Sequence, residues 1–520
     1  MARYFNTTGP CMPRLHYMLP PADRLIGASL ERYIRDELYW VLHAPRQTGK
    51  TTFLQSWMRE INAGDEAIAC YVSLECCQGV PETEIAIPAM VSTIIESATR
   101  HNLPIPPMVE GPCEIRLNRQ LAEWATRVAP KKLIVLFDEV DVVEGPALVS
   151  LLRQLRSGFA GRGVGQFPVS VALVGMRDLR DYLVRSKDGR PVNPGSPFNI
   201  KEDSVTLGNF SRSDIAALTA QYTEEHGQRF EVAALDRIWG YTSGQPWLVN
   251  ALCKECVLRV TPEGMAVMSA HVDEAKDRLI VARATHIDSL GERLKDPRVR
   301  KVIEPMITGA SDPTMAVGDD FTLCLDLGLV RIDETRSPVI GNAIYREVLA
   351  RELSYGMQMA IPAPQFKWKR DDGGLDMDAL LDEFQKFWAW HSEIWEEKAD
   401  YTEAFPHLLL MGFLQRIING GGMIDREYAA GRGRVDLGIR FGGRTNIVEI
   451  KLVHPRMGRD ATMAQGLEQI ARYANTMAAD TRHLVIFDRR PEARVKPWDA
   501  RLSVEARTAP DGQPVQVIWC

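Results

Sequence analysis

The sequence contains no run of about 18 apolar residues, the length a helix needs to cross a bilayer, so an integral helical membrane protein is not expected. Its opening residues, MARYFNTTGPCMPRLHYMLPP, lack the apolar core of a secretory signal, and the chain reads as cytoplasmic with no membrane partner. Cysteine is sparse. Nine are scattered at 11, 70, 76, 77, 113, 253, 256, 324 and 520, an odd number without the spacing of a disulfide framework. Cys253 and Cys256 form one CxxC inside the helical stretch PWLVNALCKECVLRV, with no second pair and no histidine cluster beside it; this argues for reduced helix residues rather than zinc ligands. Basic charge is not in excess either. Against 62 Lys and Arg stand 68 Asp and Glu, net -6, so no global field draws the protein onto nucleic acid and any such contact is local. There is no internal repeat and no low-complexity tract. What remains is ordinary globular composition, 45% hydrophobic and 25% charged. At roughly 150 residues per domain, 520 residues make three or four domains.

From 37 to 205, short apolar runs (ELYWVLHA, AIACYVSL, KKLIVLFD, PVSVALVG) alternate with amphipathic stretches (TTFLQSWMREI, LNRQLAEWATRV, ALVSLLRQLRSG). That alternation predicts a mostly parallel sheet with crossover helices, an α/β fold. Residues 206–290 read as almost purely helical, with SRSDIAALTAQYTEEHG opening on a capping serine, and form a plausible helical lid. Residues 291–355 suggest two helices, a short two-stranded wing and a closing helix, a winged-helix-like module. The Pro-, Gly- and charge-rich stretch AIPAPQFKWKRDDGGLD places a linker within 356–380, and a second α/β unit follows over 381–520.

In YWVLHAPRQTGKTTFLQSW a hydrophobic strand, a loop and a helix follow one another directly, which is the context a phosphate-binding loop requires. Backbone N–H groups over Pro45, Arg46, Gln47, Thr48, Gly49, Lys50, Thr51 and Thr52, together with the positive end of the helix, would surround phosphates. Lys50 would reach the β and γ oxygens, and the Thr51 hydroxyl would ligate Mg²⁺. The usual first glycine of the motif is replaced by Ala44, which the turn accepts if its φ is negative. Downstream, the strand Leu133–Phe137 runs into Asp138-Glu139 at the edge where α/β proteins bind ligands. Asp138 would hold the metal shell and Glu139 would orient and polarise the attacking water. The strand ending at Gly175 leads to Arg177, for which two readings stand: contact with a γ-phosphate, or a structural ion pair with Asp178 or Asp181. Arg156 and Arg162 are either solvated or directed at a neighbouring subunit. Thr242-Ser243-Gly244-Gln245-Pro246-Trp247 reads as a rigid turn opening a lid helix.

HYMLP, APRQTGKTT, LFDE, VGMRDLRDY, SPFNI and TSGQPWLVN together resemble the bacterial AAA-like, STAND-related P-loop ATPases over roughly residues 1–355. The resemblance implies ATP binding by a core over 1–205, with the lid and winged helix acting as a switch.

After the linker, DEFQKFWAWHSEIWEEK precedes YTEAFPHLLLMGFLQRII, then GRVDLGIRF, a Gly442-Gly443 turn and TNIVEIKLV. Residues i and i+2 of a strand share a face, so Glu449 and Lys451 point the same way, and Asp436 would reach that face from the paired strand. Two carboxylates and a lysine there suit a divalent cation, Mg²⁺ or Mn²⁺ at Asp436 and Glu449, with Lys451 activating a water for in-line attack on a phosphodiester. A helix then carries Gln469 and Tyr473 on one side, before the strand HLVIFD. Helix, hairpin with D…ExK, helix with QxxxY and strand resemble the PD-(D/E)XK nuclease superfamily and its RecB-like branch. That resemblance implies a further metal-site carboxylate at Glu403 and ordering roles for Gln469 and Tyr473. Val435 stands where many members have proline. Residues 421–520 hold 16 basic and 12 acidic side chains, making this end the expected nucleic-acid surface, with Arg432, Arg434, Arg440 and Arg444 flanking the site.

The leading expectation is therefore an ATP-binding and ATP-hydrolysing P-loop protein that controls a metal-dependent nuclease, with DNA as the expected substrate and a homo-oligomer or a protein trigger as possible partners. The alternative is an ATP-dependent switch or scaffold whose nuclease-like domain only binds nucleic acid or protein. A winged-helix regulator ranks last, because 297–355 is not conspicuously basic.

Overall fold

The computed structural model describes residues 3–27, 29–177, 184–185, 191–192, 201–282, 290–308, 318–360, 368–398, 405–418, 423–425, 437–453, 458–488 and 490–520. The chain divides into two compact units, Met1–Ala282 with Thr322–Arg331, and Arg283–Phe321 with Ile332–Cys520. Both are α/β. No helix among the described residues is long and apolar enough to cross a membrane.

The first unit begins with β1 (Leu25–Ile26), α1 (Leu30–Arg35), β2 (Tyr39–His43), α2 (Lys50–Asn62) and β3 (Ala67–Ser73). It continues with α3 (Thr83–Arg100), α4 (Cys113–Val128), β4 (Lys132–Asp138), α5 (Gly145–Phe159) and β5 (Ser170–Gly175). A small pair, β6 (Val184–Arg185) and β7 (Pro191–Val192), precedes β8 (Lys201–Leu207). Six of these strands form one sheet in the order β1-β8-β2-β5-β4-β3, parallel except for β1. The strands read as unbroken apolar runs because both faces are covered. Trp40, Leu42, Ile134 and Leu136 pack on Phe53, Leu54 and Trp57 of α2. Their alternates Tyr39, Val41, Val135 and Phe137 pack against α3, α4 and α5.

Beyond the sheet this unit carries the α-helices α6 (Arg212–His226), α7 (Val232–Thr242), α8 (Pro246–Glu255) and α9 (Ser269–Val281). Helix α6 opens on a capping box in which the Ser211 hydroxyl accepts from the Asp214 amide at 3.1 Å and Asp214 accepts from the Ser211 amide at 2.8 Å. Cys253 and Cys256 are buried in and just beyond α8. The α7–α8 turn passes through left-handed backbone at Ser243 (φ 47°) and Gly244 (φ 74°). A Cβ on Gly244 would lie 1.9 Å from the Phe210 carbonyl oxygen. Gly244→Ala is therefore expected to cost about 2–3 kcal/mol or more, read as a lowered thermal unfolding midpoint.

In the second unit, helices Pro297–Thr308 and Asp319–Asp326 lead to the paired strands β9 (Val330–Ile332) and β10 (Pro338–Ile340) and the helix Ala343–Ala360; the boundary between units passes through the second helix and β9. Part of the expected linker is a tight turn. The Arg370 amide donates to Gly374 O at 2.8 Å, Gly373 has φ 82°, and Trp368 meets Phe441 edge-on at 5.6 Å. Pro, Gly and charge read the same in a docked turn as in a tether. Helices Met377–Lys398 and Phe405–Ile418 precede β11 (Met423–Asp425), β12 (Leu437–Phe441) and β13 (Arg444–Leu452). The helix Gly458–Met477 then crosses to β14 (Thr481–Phe487), and β15 (Ser503–Thr508) and β16 (Pro514–Trp519) complete a sheet of order β11-β12-β13-β14-β16-β15. Strands β13, β14 and β16 are parallel, and the others antiparallel.

Candidate functional site

The loop between β2 and α2 is shaped by two left-handed residues, Gln47 (φ 60°) and Gly49 (φ 94°), which turn the chain so that α2 starts at Lys50 with its first amides facing the loop. Ala44 is buried, is not among the positive-φ residues, and its amide donates to Gly175 O at 3.3 Å, so the missing glycine is tolerated. The Thr48 hydroxyl donates to Pro45 O at 2.9 Å. Lys50 Nζ folds back onto the loop, donating to Ala44 O at 2.7 Å and Pro45 O at 2.9 Å. Removal from water holds its pKa down at about 8, although Asp138 and Asp141 pull the other way. A desolvated ammonium at a helix N-terminus is suited to receiving an anion.

Strand β5 separates β2 from β4, so the loop and the carboxylate edge lie one strand apart. Thr51 Oγ1 donates to Asp138 Oδ2 at 2.7 Å, and the Tyr71 hydroxyl donates to the same oxygen at 3.2 Å. Burial raises the Asp138 carboxyl above its ordinary value, opposed by Thr51 and Lys50. Glu139 follows in left-handed backbone (φ 58°) and accepts from Ser73 Oγ at 2.8 Å, while its amide donates to Asp138 Oδ1 at 3.0 Å. Its carboxyl is also raised, first by desolvation and then by the neighbouring acids, Asp138 foremost. Ser73 sits opposite Asp138 in the β3–β4 register, and Tyr71 is two residues earlier on the same face. Both were missed in the sequence, where they are unremarkable strand residues.

A cavity opens beside the loop, lined by Gln47, Thr48, Gly49 and Thr52 on one side and by Phe210, Pro246 and Trp247 on another. Asn6, Thr7, Tyr17 and Arg24, from the start of the chain, close it further. Trp247 Nε1 donates to Thr7 O at 2.8 Å, and Gln245 Nε2 reaches Gln47 O at 3.3 Å, so the α7–α8 turn touches the loop itself. Arg24 Nη1 donates to Thr48 O at 2.9 Å and Gly208 O at 3.0 Å, and its guanidinium lies 4.9 Å from the Phe210 ring centre. Desolvation lowers the Arg24 pKa to about 10. TSGQPW hinted at one of these walls, but nothing in the sequence marked Arg24 or Thr7.

Arg177 lies two residues past β5, at the same edge as the loop, whereas Asp178 and Asp181 lie outside the described residues. Arg162 is held within its own unit. Its Nε donates to Glu37 O at 3.0 Å, and Glu37 precedes β2, at the end of the sheet away from the loop; its guanidinium stacks 3.8 Å from the Phe159 ring centre.

In the second unit Lys451 Nζ and Glu449 Oε1 are 2.5 Å apart on β13, with Glu449 0% exposed. In the parallel register Glu449 lies opposite Leu484 and Lys451 opposite Ile486, and Leu484 and Ile486 pack against Ile470 and Ala471 of the helix Gly458–Met477. The Glu449–Lys451 pair therefore faces that helix. Gln469 is on it, with Oε1 buried and without a hydrogen-bond partner among the described residues. Tyr473 is on the same helix, but its side chain lies outside the described residues, as do Glu403, Asp436, Arg432 and Arg434 entirely. The β12–β13 register ends with Leu437 opposite Val448, and Asp436 immediately precedes Leu437 in the chain. Arg444 pairs with Asp372 at 2.6 Å, and Arg440 is exposed on β12. The opposite sheet face carries a pair absent from the sequence reading, His483 Nε2 with Asp378 Oδ1 at 2.9 Å, which holds the Asp378 carboxyl below its ordinary value.

No family model matches the chain, and no curated protein matches it. Several solved structures align with it at low identity. The Walker-type ATPase PABY2304 of Pyrococcus abyssi is 14% identical over 62% of this chain and 93% of its own, with a TM-score of 0.45. The Thermotoga maritima RuvB Holliday junction branch migration motor is 13% identical over 64% and 91%, TM-score 0.33. Cdc6p from Pyrobaculum aerophilum is 14% identical over 62% and 91%, TM-score 0.35.

Proposed function

We propose that the first unit binds and hydrolyses ATP, and that it controls a metal-dependent nuclease in the second. The observation that carries the first half is the meeting of Thr51 and Asp138 at 2.7 Å beside the desolvated Lys50, at the mouth of a loop whose amides face an open cavity. Two hard oxygen donors fit Mg²⁺, which keeps several waters and shares its remaining positions with phosphates. When bound, that ion would neutralise charge on the β and γ oxygens. The loop amides and Lys50 would hold the phosphates, while the cavity between Thr7, Phe210 and Trp247 would take the base. Glu139, its carboxyl raised by desolvation and held by Ser73, is suited to accept a proton from an attacking water. Arg177, at the same edge, is the candidate for γ-phosphate contact.

A pH profile tests the phosphate assignment. Phosphate favours the charged lysine, so below about pH 8 binding needs no added proton at Lys50. Above it a proton must be taken up, and ATP affinity is expected to fall by up to about tenfold per pH unit. Calorimetric Kd values between about pH 7 and 9.5 check this; a flat profile contradicts it.

The nuclease half is supported by the order helix, β11, β12, β13, helix, β14, and by the Glu449–Lys451 pair facing the Gln469 helix. Asp436 and Glu449 are proposed to hold Mg²⁺ or Mn²⁺, with Glu403 contributing and with Gln469 and Tyr473 ordering the site. Lys451 would steady a hydrolytic water. DNA is the proposed substrate, drawn by the local basic excess of residues 421–520. Divalent-dependent cleavage of DNA by the full chain, lost in Lys451→Ala, is the test of this half.

A further inference from the structure

The first unit contains a second cavity, of about 580 Å³, within the range of small-molecule sites. Rings of Tyr4, Phe5, Tyr17, Tyr222 and His226 form part of its wall. Tyr222 stacks on His226 with centres 4.5 Å apart, and Phe5 lies 5.0 Å from Tyr17 and 5.6 Å from Tyr222. One side is a five-residue π-helical turn, Cys256–Val260, an irregularity that recurs at functional positions. That turn leaves Leu258 67% exposed at the cavity. Gln228 Nε2 ties down the loop beyond, donating to Pro262 O at 3.2 Å and Met265 O at 2.8 Å.

Polar side chains line it too: Arg3, His226, Gln228, Lys254, Thr261 and Glu263. Thr261 is 6% exposed, and its hydroxyl has no hydrogen-bond partner among the described residues. Lys254 Nζ donates to Thr7 Oγ1 at 3.1 Å, leaving donor capacity on the ammonium. Of the other charged groups that line the cavity, Arg3 pairs with Glu225 at 2.6 Å, and Glu263 is on the loop. Ring faces beside the Lys254 ammonium and the unsatisfied Thr261 hydroxyl suit a ring bearing an anion.

We propose that this cavity binds a small planar aromatic molecule carrying one carboxylate or phosphate, and that its occupancy changes the affinity of the nucleotide cavity. The coupling rests on the nucleotide reading above. Its physical route is the shared wall: Tyr17 lines both cavities, and the Thr7 that Lys254 holds lines the nucleotide cavity. A ligand that draws Lys254 from Thr7 acts on that wall, and the effect is reciprocal.

Titration calorimetry of the full chain with indole-3-acetate and with phenyl phosphate tests this, the two probes separating a carboxylate from a phosphate. Saturable binding of at least one is expected, weakened about tenfold or more in Lys254→Met. Leu258→Glu, a change at an exposed position that puts like charge at the mouth, is expected to weaken it similarly. Circular dichroism melts establish that both variants fold. No saturable binding of either probe, or binding indifferent to both substitutions, overturns the proposal. ADP affinity is then measured with the cavity saturated: a change of about fivefold or more is expected, and none overturns the coupling. ADP that binds while neither probe does refutes this site alone, whereas probes that bind without ADP refute the nucleotide reading and, with it, the coupling.

Discussion

Lys50→Ala is expected to lower ATP turnover by roughly 10²–10³, the cost of removing a cation that acts on charge developing at transferred phosphate. The structure also fixes what should not change. Lys50 is desolvated and, among the described residues, bonded to the loop carbonyls of Ala44 and Pro45, so its loss removes a costly charge along with two hydrogen bonds. The net effect on stability is expected to stay within about 1 kcal/mol, and the thermal midpoint of the variant reports it. The metal-dependent cleavage proposed for the second unit should remain measurable if the two units are only loosely coupled. An unchanged ATPase rate in a folded Lys50→Ala protein would remove the phosphate loop as the site.

Lys451→Ala is expected to reduce cleavage by roughly 10²–10³ and also to weaken the second unit. Glu449 is 0% exposed and loses its lysine partner at 2.5 Å, a charged hydrogen bond worth about 1.5–3 kcal/mol. Loss of fold and loss of chemistry are separated by the double variant Glu449→Gln/Lys451→Met, which removes both charges together and should recover most of the stability while staying inactive. Recovery of cleavage along with stability would make the pair structural and move the reading to a nuclease-like scaffold.

Local signals were legible. The strand, loop and helix around Lys50 follow each other within a few residues, each with its own pattern, and Glu449 and Lys451 share a face by strand periodicity alone. Contacts between distant segments were not. No pattern in Asn6 to Tyr17 shows that this irregular stretch lines a cavity with Trp247, because its order comes from bonds such as Trp247 Nε1 to Thr7 O across the unit. Strand order is equally silent, since β5 enters between β2 and β4 without any mark in its own residues. The Asp378–His483 pair joins residues 105 positions apart, and neither has a neighbour that signals the other. Tyr71 and Ser73 became visible only once register placed Ser73 opposite Asp138.

Nucleotide at the first unit is proposed to govern cleavage by the second. The most direct test of this control is the initial rate of DNA cleavage by the full chain with Mg²⁺ or Mn²⁺, with and without ATP. Cleavage that depends on the divalent ion and changes in rate when ATP is added is the expected result. Tight ATP binding with no cleavage of any DNA or RNA form would contradict it.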